Sequence, residues 1–413
     1  MNRRSLLLGT AAGASWLAAP RWARAMALGL GAQDAQTARP DRRLVVLFLD
    51  GGNDGLNTLV PVADDLYHRA RPALALKSNK IHSIDAACGL HPALARMAVR
   101  YRAGGIGFVR GVGYPDPNLS HFRAKDIWAS GATASPSPAT GWLGRFADHT
   151  LPPDAPATAV VSLGQVTTPH ALRAERHVAY ALADREGFRV RAAAESRGNP
   201  PGSRQRVVDA INRRAADARL RPVGESVLAA DQSIAAIDRA LRTGPKARYP
   251  ESRLAQDLEM AARLIEADLG ARCLFTAHHG YDTHASQADT HHHLLYILDH
   301  ALDAFLEDLA KINRHASTLV LVLTEFGRRV AENGNGATAG TDHGSCALLL
   351  TAGGGVKPGL HGPAPDLADL DPNGNQRHAI DFRSVYADVI GGWFGADVAA
   401  VLGAPFARAG VLG

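Results

Sequence analysis

Three cysteines in 413 residues, with no Cys-x-x-Cys spacing, leave no thiolate cage for a metal. Cys88, Cys273 and Cys346 allow at most one disulfide with a thiol left over. Long apolar runs are missing too. Beyond the first 25 residues none reaches the roughly 18–20 residues that a membrane span needs. Excess positive charge is scarcer than the formal +5 suggests. Arg3, Arg4, Arg21 and Arg24 fall in the first 25 positions with no acid, so the remainder holds 41 basic residues against 40 acidic ones. A nearly neutral chain gives a nucleic-acid backbone little to bind.

What is present begins with MNRRSLLLGTAAGASWLAAPRWARA, a twin arginine followed by a weakly apolar stretch closing on Ala23-Arg24-Ala25. This pattern reads as a twin-arginine export signal over residues 1–25, cleaved to release a periplasmic protein with no membrane span. Pro20, Arg21 and Arg24 interrupt the run and argue against an uncleaved anchor. Residues 26–42 read as a mobile mature N-terminus, and 43–413 as a single domain.

Within that domain, continuous apolar runs alternate with helical periodicity. Strands are predicted at Arg43–Asp50, Ile106–Val112, Ala157–Leu163, Arg272–Ala277, Thr318–Thr324 and Cys346–Thr351. Helices are predicted at His91–Ala103, Ser120–Ser130, Ser252–Leu269, Gln287–Leu309 and Asp381–Phe394, with a helical region over about 205–270 that reads as a cap, an insertion or an outer layer. Alternation of this kind implies an α/β fold with a mostly parallel sheet covered by helices on both faces. Ligands of such folds gather at the carboxyl ends of strands.

Four polar clusters lie at such places. In Asp50-Gly-Gly-Asn-Asp-Gly, Asp50 is either a carboxylate ligand or part of a glycine turn; the loop is not G-x-G-x-x-G. Ser120-His121-Phe-Arg123 opens a helix, where Ser120 either caps or acts as a nucleophile assisted by His121 or Arg123. Asp282 and His284 follow a strand and suit zinc, manganese or iron. Neighbouring His291, His292 and His293 point about 100° apart on a helix and cannot share one ion, though His291 alone could differ. Glu325 ends an apolar strand, where it either pairs with Arg328 or ligates a metal. The motif GTDHG follows, with Asp342 and His343.

Together LDGGNDGLNTLVP, SHFRAKDIW, GWLGR, YDTHASQ, TEFGRRVAENG, GTDHG and DFRSVYADVI resemble domain-of-unknown-function family 1501, of the alkaline phosphatase/sulfatase superfamily, from about Arg43 to Trp393. The resemblance implies an alkaline-phosphatase-like fold, a central mostly parallel sheet between helices with a helical insertion. It implies a metal-dependent hydrolase of phosphate or sulfate esters, or an inactive binding or assembly protein on the same fold. The implied catalytic residues are Ser120, His121 and Arg123; the implied ligands of one or two divalent ions (zinc, manganese or calcium) are Asp50, Asp282, His284, Glu325, Asp342 and His343. The implied partners are a small or polymeric ester substrate and another exported protein. In Thr324-Glu325-Phe326-Gly327, phenylalanine stands where superfamily members often have a histidine, and His343 takes a later lone-histidine position. A competing alignment makes Asp342–His343 the doublet and His361 the later ligand.

Overall fold

A computed structural model of the chain describes residues 39, 41–184 and 233–413. The signal region 1–25, nearly all of 26–42, and the helical reading over 205–232 lie outside the described residues; 233–242 is helical.

Among the described residues, nine strands form the main sheet: β1 (Arg43–Asp50), β2 (Ile106–Gly113), β3 (Val160–Leu163), β4 (Tyr180–Leu182), β5 (Cys273–His279), β6 (Thr318–Leu323), β7 (Ala347–Gly353), β8 (Gly359–His361) and β9 (Ile380–Asp381). Their order is β8-β2-β7-β6-β1-β5-β3-β4, with β9 also beside β2. Every pairing is parallel except those of β7, which runs antiparallel to β2 and β6. The amino end of β7 shares an edge with the carboxyl ends of its neighbours.

The central run Arg43–Asp50 forms β1 because both of its faces are buried. Val45, Leu47 and Leu49 enter a core packed by helices α1 (Ala95–Arg102), α4 (Arg253–Glu266) and α5 (Gln287–Lys311). Leu44 and Val46 enter the opposite core, where α2 (His121–Ser130), α3 (Trp142–Thr150) and α6 (Phe382–Ala387) bring Trp128, Trp142 and Tyr386. The result is a sheet between two helical layers.

Several predicted elements start or end elsewhere. After Pro156, residues Ala157–Ala159 form a 3-10 turn before β3 begins. The helix expected over Asp381–Phe394 is α6 followed by a π turn, Asp388–Trp393. There Gly391 and Gly392 weaken the helix, and buried Asp388 accepts from Arg408 Nε and Val411 N–H. All three cysteines are buried and unbridged. Among the described residues, no helix is long and apolar enough to cross a membrane.

Candidate metal centre

Four segments converge at the carboxyl edge of the sheet. The loop after β1 brings Gly51 and Gly52, and the loop after β5 brings Asp282 and His284. The start of α2 brings His121, and the lead-in to the reversed strand β7 brings His343. Gly51 at φ +121° lies so close to the β5 loop that a Cβ would stand 2.4 Å from the Asp282 amide nitrogen. Only glycine permits that approach.

Asp282 is the hub. Its Oδ1 lies 3.1 Å from His343 Nε2, 3.1 Å from His284 Nε2 and 3.4 Å from His121 Nε2. The His284 and His343 Nε2 atoms are 2.9 Å apart. His121, Asp282 and His343 each offer an atom within 4.8 Å of the other two.

Each ring is held from behind through Nδ1. That of His343 meets the Leu119 carbonyl at 2.8 Å, that of His121 meets Glu325 Oε1 at 2.8 Å, and that of His284 meets Asp342 Oδ1 at 3.2 Å. These partners accept, so the neutral rings carry their proton on Nδ1 and turn the Nε2 lone pair toward Asp282. Three lone pairs and a carboxylate then face one another at hydrogen-bond distance. Buried His121 Nε2 has no hydrogen-bond partner. Ligands about 2.0–2.1 Å from a tetrahedral zinc ion stand roughly 3.3 Å apart, close to the observed spacings. The donor set fits a metal ion.

Electrostatics favour that pattern at His343. Burial lowers the His343 pKa, leaving its ring neutral. Burial alone would raise the Asp282 carboxyl, but the hydrogen bond and charge of the Arg328 guanidinium outweigh it and hold the group well below the carboxylate range. For His121 the hydrogen bond it donates to Glu325 is the larger influence and raises the pKa. A proton and a metal ion therefore compete at its Nε2.

Arg328, named in the sequence reading only as a partner for Glu325, has a role at the centre that the sequence did not reveal. Fully buried, its guanidinium donates to Asp282 Oδ1 at 2.8 Å and to the carbonyls of Gly51, Gly52, Tyr281 and Thr341. It binds three loops together and fixes the hub. Glu325 does not pair with it. Completely buried, Glu325 accepts from Gly51 N–H, Thr324 Oγ1 and the His121 ring, so it orients a ligand from behind. Asp342 stands behind His284, steadied by Asn333 Nδ2 at 2.9 Å. Phe326 packs against both His121 and His343, with ring centroids 4.8 and 4.5 Å away. It limits how both imidazoles can turn.

Other expected site residues have partners of their own or none. Asp50 pairs with Lys125 and with His279. Arg123 turns to the 133–137 loop, donating to Ser137 Oγ and to the Thr133 and Ala134 carbonyls. Ser120 is exposed at the N-cap of α2, where its side chain makes no capping hydrogen bond. His361 Nε2 meets the Lys357 carbonyl at 2.7 Å. Buried His291 binds Asn53 Oδ1 at 3.0 Å, while His292 and His293 are exposed. His291 thus belongs to a buried network in which Arg71 and Gln287 hold the neighbouring Asp54.

A family model described as "Protein of unknown function (DUF1501)" matches residues 113–403. Among solved structures, the chain is similar to the C-terminal periplasmic domain of EcEptC from Escherichia coli in complex with Zn, at 9% identity and a TM-score of 0.36, covering 77% of this chain and 76% of that one. It is similar to the lipoteichoic acid synthase LtaP from Listeria monocytogenes, at 8% and 0.35, covering 78% and 67%. A protein in the alkaline phosphatase superfamily from Vibrio parahaemolyticus is similar at 11% and 0.37, covering 78% of this chain and 63% of that one, under two thirds of its length. No curated protein matches the sequence.

Proposed function

We propose that this chain, which belongs to the DUF1501 family, is a metal-dependent hydrolase of phosphate or sulfate esters, carried to the periplasm by a twin-arginine signal at residues 1–25. The observation that carries the reading is the convergence of three Nε2 lone pairs on the Asp282 carboxylate, each ring fixed from its far side. His121, His284, His343 and Asp282 would hold the ion. An imidazole-rich set suits zinc or manganese better than calcium, which takes six to eight oxygens. When bound, the metal supplies Lewis acidity that lowers the pKa of a nearby hydroxyl and stabilises a leaving oxygen.

Ser120 is the nucleophile in this reading. Its hydroxyl is not spent on capping, and both neighbours touch the centre, Leu119 through its carbonyl and His121 through its ring. The serine oxygen forms the bond to phosphorus or sulfur, and the ester oxygen departs with a proton. Water then cleaves the seryl ester and restores the hydroxyl. The amino end of α2 carries partial positive charge that favours the oxyanion.

The test is metal analysis of the purified mature protein, with assays on aryl phosphate and aryl sulfate. Bound zinc or manganese and turnover that falls at least ~1,000-fold in Ser120→Ala are expected for a covalent nucleophile. Absence of both metal and turnover, even with added zinc or manganese, sinks the reading. One observation favours a second one: Arg123 is tied to the 133–137 loop and not to the centre. Metal uptake without turnover would select a binding or assembly protein that meets another exported protein.

A further inference from the structure

One helical turn beyond His121, the same face of α2 carries Lys125. Its ammonium pairs with Asp50 Oδ1, and Asp50 Oδ2 accepts from His279 Nδ1 at 2.7 Å. Strand register fixes the pair of donors, since Asp50 at the end of β1 lies opposite His279 at the end of β5. A carboxylate beside an imidazole is a metal-binding combination. Two hydrogen bonds join this one to the centre: Gly51 N–H, next in the chain, donates to the same Glu325 oxygen that accepts from His121 Nδ1. In hydrolytic sites that use two metals, a second donor group just beside the first seats the second ion. Here both oxygens of Asp50 are taken. One oxygen of Asp50 holds an ammonium and the other a ring N–H.

We propose that the centre takes one metal ion per chain, and that the Lys125 ammonium occupies the place of a second cation against Asp50. The inference rests on the metal centre described above. A divalent ion on Asp50 would meet the ammonium at contact distance, so the two exclude each other. The lysine gives the site a positive charge that no chelator can remove.

Equilibrium dialysis against excess zinc, with the metal counted per folded chain by mass spectrometry, tests this. Wild type is expected to hold one equivalent, Lys125→Met and Lys125→Gln two, and the double variant Lys125→Met with Asp50→Asn one again. Circular dichroism checks that each is folded. Two equivalents in wild type overturn the inference, as does a count of one in both lysine variants. Zero in wild type defeats the metal centre itself, and the inference with it.

Discussion

Asp257 shows how far a single side chain can be moved from its behaviour in water. On α4 it is 1% exposed, its Oδ2 accepts from Thr276 Oγ1 at 3.1 Å, and Arg253 Nε lies 3.3 Å from its Oδ1. Burial is the dominant influence and pushes its pKa up to about 6. The folded carboxyl thus binds its proton more tightly than the unfolded one. Its contribution to stability is complete below the unfolded value near 3.8 and is lost as pH rises through about 6. Asp257→Asn should therefore be more stable than wild type by about 1–3 kcal/mol at pH 8, with little or no gain at pH 4. Urea denaturation at the two pH values measures the difference, and an equal gap at both would show that burial is not its cause. The same scale explains what was legible in the centre. Asp282, His284 and His343 are polar residues beside apolar strands, a pattern visible along the chain. The work of Arg328 is not visible there, because its five acceptors come from three loops distant in sequence. Asp50 and Arg123 have the right chemistry and other partners.

At the scale of elements, the strands were readable where burial on both faces makes a run wholly apolar, as in β1 and β6. Short edge pieces such as β8 and β9 were not, because three or two half-buried residues carry no periodicity. Direction was also hidden. Nothing in ALLLTAG says that β7 runs against its neighbours. The loop after β1 is the element on which the centre depends most. Gly51→Ala would force a side chain into positive φ and onto the Asp282 backbone. We expect a loss above about 2 kcal/mol together with weaker zinc binding, since the hub must move. Thermal denaturation and zinc titration of the variant check both; unchanged values would mean the loop can relax without cost.

Across the whole molecule, the two cores and the sheet between them are held by apolar packing that needs no ion. The centre should add to this by linkage. Zinc at about 100 times its dissociation constant should raise stability by about 2.7 kcal/mol, and chelation should reverse it. The melting temperature should therefore rise with zinc in wild type and stay fixed in His343→Ala; a shift of equal size in both would place the ion elsewhere. The reversed strand β7 gives this linkage a further meaning. His343 reaches its anchoring carbonyl at Leu119 across 224 positions of chain, and it arrives only when the lead-in to β7 docks. During synthesis Asp282 and His284 emerge before it and hold only a partial grip on an ion. Tight loading then waits for the last central strand, so a filled centre certifies that the middle of the sheet has closed, ahead of edge strands β8 and β9.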